Sequence, residues 1–265
     1  MIQTLLMWIF PKITIIIKIN MGKIVAIGGG DLRKGETLLI DKRIIELSER
    51  KKPNMLFIPT AGSDSESYYK CFKKYFETNF NCVVDVLFLI REKPLKKEIQ
   101  NKILSADIIY VGGGNTLKMM MIWRRLGVDE FLNQAYKKGT VLCGNSAGAN
   151  CWFKYCSSDA RKFTSGSDEL IKVRCLDFVN ALFCPHYSEE KNRVKSLKDL
   201  MKRTSGIGIG VDESCALEII DGTYKVISNN ETVNIYKVYW KYGKYYKEVV
   251  EKSEKHKSLK KLLKK

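Results

Sequence analysis

The hydroxyl of Ser146 and the imidazole of His186 are the two groups in this sequence whose setting suits covalent catalysis. Ser146 stands in Gly144-Asn145-Ser146-Ala147-Gly148, directly behind the apolar stretch Val141-Leu142-Cys143. A G-x-S-x-G run in that position predicts a sharp strand-to-helix turn that exposes the serine, with glycines where side chains would clash. The Ala147 N–H, one residue on, is then available to a developing oxyanion at a helix N-terminus. A serine nucleophile needs a base, and the chain has only two histidines. His256 falls in a lysine-rich stretch, whereas His186 follows Ala181-Leu182-Phe183-Cys184-Pro185 at the end of a predicted strand. A third, acidic group should orient the imidazole, and Asp159, Asp168 and Glu169 are the candidates between serine and histidine. Cys143, three residues before Ser146 and inside the strand, reads as a small core residue.

Two further glycine runs follow predicted strands. Gly112-Gly113-Gly114 precedes Asn115-Thr116 and a helical stretch, and consecutive glycines there let the backbone approach a ligand and present N–H groups to negative charge. Gly28-Gly29-Gly30-Asp31 superficially resembles a dinucleotide loop, but Arg33 stands where the last glycine of G-x-G-x-x-G belongs. No G-x-x-x-x-G-K-[ST] run and no H-E-x-x-H pattern occurs, so neither a nucleotide cofactor nor a metal is expected.

These residues need a scaffold that brings strand ends together. From Met21 the chain alternates short apolar runs with longer amphipathic stretches, which predicts strands interleaved with helices in a mostly parallel sheet. Strands are expected at Lys23–Ile27, Met55–Pro59, Val83–Leu89, Asp107–Val111, Thr140–Cys143, Ala181–Cys184 and Gly206–Val211. Helices are expected near Lys34–Lys51, Ser65–Thr78, Leu95–Leu104, Leu117–Arg125 and Asp129–Lys138. Antiparallel hairpins follow over Cys215–Ile220, Tyr224–Ile227 and Val233–Trp240, punctuated by Asp221-Gly222 and Asn229-Asn230. In such a sheet, ligands bind beyond the carboxyl ends of the strands, where all three glycine runs fall.

The motifs together resemble the aspartyl dipeptidase (peptidase E) family of serine peptidases, to which cyanophycinase is also related. The likeness rests on Val111-Gly112-Gly113-Gly114-Asn115-Thr116, Gly144-Asn145-Ser146-Ala147-Gly148-Ala149-Asn150, the polar run ending in Asp159, and Cys184-Pro185-His186-Tyr187. It covers about Met21 to Ile227; Asn145 departs from the bulkier residue at the family's elbow. The resemblance implies Ser146 as nucleophile, His186 as base, Asp159 as the acidic member, and the N–H groups of Gly114 and Ala147 as the oxyanion hole. It also implies a three-layer α/β sandwich like that of class I glutamine amidotransferases, with C-terminal β-hairpins. Family substrates are short peptides with an aspartyl residue before the scissile bond, so a dipeptide-cleaving exopeptidase is expected. Asn115 and Arg193 are then candidate substrate-binding residues, with Arg161 a second candidate cation for the carboxylate. The alternative reading is a noncatalytic α/β protein that binds a small acidic metabolite.

Composition sets the remaining limits. The 265 residues are 45% hydrophobic and 28% charged, enough apolar content for a sizeable core. The organisation expected is an extension over residues 1–20, one α/β peptidase domain over 21–243, and a Lys-rich tail over 244–265. The apolar start Ile2–Ile19 is broken by Pro11, Lys12 and Lys18, which fits neither a signal peptide nor a spanning helix. Eight cysteines without a C-x-x-C pair point to a reducing compartment, hence a cytoplasmic location. The net charge of +17 would attract phosphates, yet residues 244–265 alone hold nine Lys against three Glu, as a solvated face would. No specific nucleic-acid partner and no membrane are expected, and the reading allows a homodimer.

Overall fold

Hydrophobic periodicity lays out most of the elements. The computed structural model describes residues 22–228 and 230–265, so the expected extension at residues 1–20 and half of the Asn229-Asn230 turn lie outside the described residues. In chain order the first part comprises β1 (Lys23–Ile27), α1 (Leu38–Leu47), β2 (Asn54–Ile58), α2 (Glu66–Phe80), β3 (Val83–Val86) and α3 (Lys96–Ser105). It continues with β4 (Ile108–Val111), α4 (Thr116–Leu126), α5 (Val128–Lys138), β5 (Val141–Asn145) and α6 (Ala147–Asn150). The second part comprises β6 (Phe153–Ser158), α7 (Ala160–Ser165), β7 (Ile171–Arg174), β8 (Val179–Cys184), α8 (Lys191–Lys202) and β9 (Gly208–Val211). The chain ends in β10 (Cys215–Ile220), β11 (Thr223–Ser228), β12 (Ile235–Lys241), β13 (Lys244–Val249), β14 (Lys257–Ser258) and α9 (Leu259–Leu262).

The strands form two sheets, not one. The larger runs β14-β11-β10-β1-β5-β4-β2-β3, and its five strands from β1 to β3 are parallel. The smaller runs β13-β12-β9-β8-β6-β7, with a parallel centre of β9, β8 and β6. One face of the large sheet (Val25, Phe57, Tyr110, Cys143) buries against Ile40 and Ile44 of α1 and Phe72 and Phe76 of α2. Its other face (Ile24, Ile58, Val111, Leu142) packs on α3 to α5 and on Phe153, Phe183 and Ile209 of the small sheet. The outer face of the small sheet is covered by Leu197 and Met201 of α8. The result is a mixed α/β fold with a mostly parallel sheet, as expected.

One expectation needs correction. Residues 244–265 are not a tail: β13 pairs with β12, β14 pairs with β11, and Leu262 of α9 is buried. Their lysines sit on the solvent side of edge strands, where charge blunts edge-to-edge pairing. Three further elements go beyond those expected: β6, which lacks an alternating apolar pattern; β7, whose alternation Ile171-Lys172-Val173-Arg174 lasts only four residues; and α8, whose apolar side chains are limited to Val194, Leu197, Leu200 and Met201. Where the turn chemistry is explicit it holds: Asp221 (φ 46°) and Gly222 (φ 76°) make the left-handed pair that a two-residue hairpin requires.

Two close contacts in this scaffold carry testable consequences. α6 crosses β4 so tightly that a β-carbon on Gly148 would overlap the Val111 carbonyl. Gly148→Ala should therefore destabilise the protein by about 1–3 kcal/mol, read as a lower denaturant midpoint at unchanged slope. Asp41 of α1 is fully buried, accepts hydrogen bonds from Thr37 Oγ1 (2.7 Å) and Tyr75 OH (3.0 Å), and burial pushes its carboxyl up to about 7. The folded state thus holds this proton more tightly than the unfolded chain. The stabilisation is complete below about pH 4 and is lost as pH rises through about 7. Between these values the wild-type protein should lose stability relative to Asp41→Asn, which does not titrate.

Candidate active site

The strand β5 delivers Ser146 at its carboxyl end, and the backbone there is strained. Ser146 has φ 55° and ψ −112°, a region a non-glycine residue occupies at a cost of about 1–3 kcal/mol. It is held there because its N–H donates to the Ile27 carbonyl of β1 (3.1 Å) while its own carbonyl receives the Ala149 and Asn150 N–H groups of α6. The glycines of the motif have definite reasons. A β-carbon on Gly144 would strike the Gly148 carbonyl, and one on Gly148 would strike Val111. Ala147 is the first residue of α6, where the helix leaves backbone N–H groups without intrahelical partners.

His186 comes from the other sheet, just beyond β8. Its Nε2 lies 2.8 Å from Ser146 Oγ, and its Nδ1 lies 2.6 Å from Glu213 Oε1. A carboxylate accepts but does not donate, so Nδ1 carries the proton and Nε2 is left to receive the serine proton. Glu213 follows β9. The acidic partner expected at Asp159 is therefore Glu213 in the structure; Asp168 and Glu169 are not at the imidazole either. Asp159 lies beside the Arg193 guanidinium at 3.5 Å, and Glu169 pairs with Arg161. Glu213 stands 27 residues after His186, outside the interval that a search between serine and histidine covers. The rule that located His186 would have found it too, since Asp212-Glu213 directly follow the predicted strand ending at Val211.

The loops that carry His186 and Glu213 are tied to each other and to β1. The Tyr187 N–H donates to the Val211 carbonyl (3.1 Å), Ser188 N–H to Asp212 Oδ1 (3.1 Å), and Glu213 N–H to Glu189 Oε1 (3.0 Å). The run Gly28-Gly29-Gly30 lies under them. His186 N–H donates to the Gly28 carbonyl (3.0 Å) and Ser214 N–H to the Gly29 carbonyl (3.1 Å). A β-carbon on Gly28 would overlap the Asp212 carbonyl, and one on Gly29 would lie 2.5 Å from His186 Nδ1. The residues that superficially resemble a dinucleotide loop are thus a floor cleared for the imidazole. Asn145 ties the elbow to the same floor through Nδ2 and the Gly30 carbonyl (3.0 Å).

Gly113 and Gly114 face the elbow from β4. A β-carbon on Gly113 would lie 3.6 Å from Ser146 Cβ, while Gly114 (φ 135°) leaves no room for one beside the Ala61 backbone. Asn115 is mostly buried, and its Oδ1 caps α4 by accepting from Lys118 N–H (3.0 Å). Arg193 is 2% exposed, donates from Nε to Glu190 (2.6 Å) and from Nη1 to the Ser157 carbonyl (3.4 Å), and so has no free face for a substrate. Cys143 is fully buried, and burial pushes its thiol well above the usual range, which keeps it from competing as a nucleophile. Among the described residues no group of three or more His, Cys, Asp or Glu side chains could hold a metal ion. None of the described helices is long and apolar enough to cross a membrane.

Two clefts adjoin the residues around the serine, one at Asn145 and His186 and the other at Gly114. The first, about 630 Å³, contains Asn145, His186 and Glu213 together with Asp31, Arg33, Lys34, Glu36 and Tyr68. Its cations are largely engaged: Arg33 donates twice to Asp31 (3.0 and 2.7 Å), and that pairing holds the Asp31 carboxyl down at about 2. The second, about 860 Å³, begins at Gly114 and runs between α4 and Phe163 of α7.

Comparison with known proteins places the chain in a family. The sequence model described as peptidase family S51 matches residues 24–227. A Bacillus subtilis protein named uncharacterized peptidase YgaJ is 34% identical over 221 residues, which cover 82% of this chain and 92% of that protein. Among solved structures, a peptidase from an acI-B1 Actinobacterium superposes with a TM-score of 0.70 at 20% identity, covering 91% of this chain and 98% of that one. A putative peptidase E protein from Listeria monocytogenes gives a TM-score of 0.60 at 20% identity, over 79% of this chain and 99% of that one. The match spans more than half of the chain and includes all three residues of the hydrogen-bonded array, so this protein belongs to peptidase family S51, the peptidase E family.

Proposed function

We propose that this protein is a serine-type peptidase of short peptides in which Ser146, His186 and Glu213 form the catalytic array. One observation carries the reading: the unbroken chain of short contacts from Glu213 Oε1 through the imidazole to Ser146 Oγ, at 2.6 and 2.8 Å. His186 Nε2 takes the serine proton as Oγ attacks the peptide carbonyl. The Gly114 and Ala147 N–H groups receive the charge that develops on the carbonyl oxygen. Glu213 keeps the ring in the required tautomer and stabilises the imidazolium. That imidazolium then protonates the departing amine, and water enters to hydrolyse the acyl-enzyme.

An acidic residue on the acyl side is the narrower form of the proposal. The cation it needs is not Arg193 or Arg161, which are engaged by Glu190 and Glu169. It is supplied instead by Lys118, which lines the cleft beginning at Gly114. A dipeptide with an N-terminal aspartate is the smallest substrate of this class, with exopeptidase action.

Labelling of Ser146 by a fluorophosphonate, together with hydrolysis of Asp-Phe and Asp-Leu, tests the reading. Ser146→Ala should abolish both; an unlabelled wild-type protein would mark it as a noncatalytic binder. Glu213→Gln, which keeps the contact but removes the negative charge, should lower kcat by about 10⁴-fold. Asp159→Asn should leave kcat within a small factor of wild type. Equal losses in the two variants, both folded by circular dichroism, would remove Glu213 from its assigned role.

A further inference from the structure

The direction of proton transfer orients any peptide bound at Ser146. The leaving nitrogen must receive its proton from His186, so the departing residue lies in the cleft that contains His186. The acyl portion then lies on the opposite side, where Gly114 opens the second cleft. One wall of that cleft is a single face of α4. Lys118, Met121, Ile122 and Arg125 are spaced i, i+3, i+4 and i+7, a helical stripe, while Met119, Met120 and Trp123 are fully buried on the other side.

That stripe combines two features. Large apolar side chains are left in water across the gap from one another, Met121 at 64% exposed and Phe163 of α7 at 59%. The cations beside them lack carboxylates: Lys118 Nζ meets only the Ser63 hydroxyl (2.9 Å), and Arg125 makes no hydrogen bond or ion pair among the described residues. The arginines of the other cleft and of the neighbouring loop are paired, Arg33 with Asp31 and Arg161 with Glu169. A cation-apolar-cation surface that continues from the reaction centre matches an extended chain of the sequence acidic-apolar-acidic.

The spacing gives the length of that chain. Lys118 and Arg125 are seven residues apart, about 10.5 Å along the helix axis. An extended peptide covers about 10 Å in three residue steps. We propose that this face of α4 is an acyl-side track that takes about four substrate residues, the first and fourth before the scissile bond acidic and those between apolar. Lys118 reads the carboxylate next to the bond and Arg125 the one at the far end. The inference rests on the serine-peptidase reading and extends it from dipeptides to oligopeptides that lose a residue from the carboxyl end.

Three peptides of the full-length protein's assay decide the matter: Asp-Phe, Asp-Leu-Ala-Asp-Phe and Lys-Leu-Ala-Asp-Phe, each followed by release of phenylalanine. The aspartate-headed pentapeptide should be cleaved with kcat/KM at least about tenfold above Asp-Phe, because binding along the track is added to the same chemistry. The lysine-headed peptide should lose that gain. In Arg125→Glu, a substitution on an exposed helix face, the order of the two pentapeptides should reverse, whereas Arg125→Lys should keep it. Cleavage of Asp-Phe as fast as the pentapeptides, or an unchanged order in Arg125→Glu, would overturn the track while leaving the labelled, active Ser146 in place. Failure of labelling and of all three cleavages would remove both readings together.

Discussion

The candidate active site depends on one chain of hydrogen bonds whose members come from different sheets. Ser146 stands at the end of β5 in the large sheet, and His186 and Glu213 stand at the ends of β8 and β9 in the small one. Contacts of 2.6 and 2.8 Å tolerate little relative movement, so the two sheets must be fixed against each other to a fraction of an ångström. The shared core does this: Ile24, Val111 and Leu142 of one sheet and Phe183, Ile209 and Val211 of the other belong to a single buried cluster. Interiors packed at this density deform little, and their rigidity is passed to the loops at the strand ends.

The same requirement explains the glycines. Bringing a histidine from one sheet against a serine on another leaves no volume for side chains on the backbone beneath them. Gly28 and Gly29 clear the floor under His186 and Asp212, Gly144 and Gly148 let the elbow close over β4, and Gly114 slips past Ala61. Several sequence features that look like ligand-binding loops are therefore consequences of close backbone approach. The strain at Ser146 is sustained by the same network, since its N–H and carbonyl are both engaged by neighbouring backbone.

Charge is distributed in keeping with the chemistry. A strongly basic chain has cations to spare, and near the site most of them are neutralised locally: Arg33 by Asp31, Arg193 by Glu190 and Asp159, Arg161 by Glu169. Arg193 illustrates why sequence proximity misleads. It lies seven residues from His186 but on a helix that turns it into the protein, where burial opposes its charge and Glu190 compensates. Cations that remain unpaired beside a reaction centre are consequently informative in a way that the total charge is not.

The sequence alone determined what local chemistry dictates. Strand ends, the serine elbow, the Asp221-Gly222 hairpin and the lone credible histidine are all readable because glycine tolerance, period-two burial and turn geometry act over a few residues. Only the tertiary structure decided which carboxylate meets His186, because that depends on β9 lying beside β8 and not on distance along the chain. It likewise decided that residues 244–249 and 257–258 are strands, for an edge strand rich in lysine has no core-facing pattern to display and exists only through its partner. The split into two sheets belongs in the same class. β6 is held by pairing with β7 on one side and β8 on the other, contacts whose energy its own residue pattern does not record.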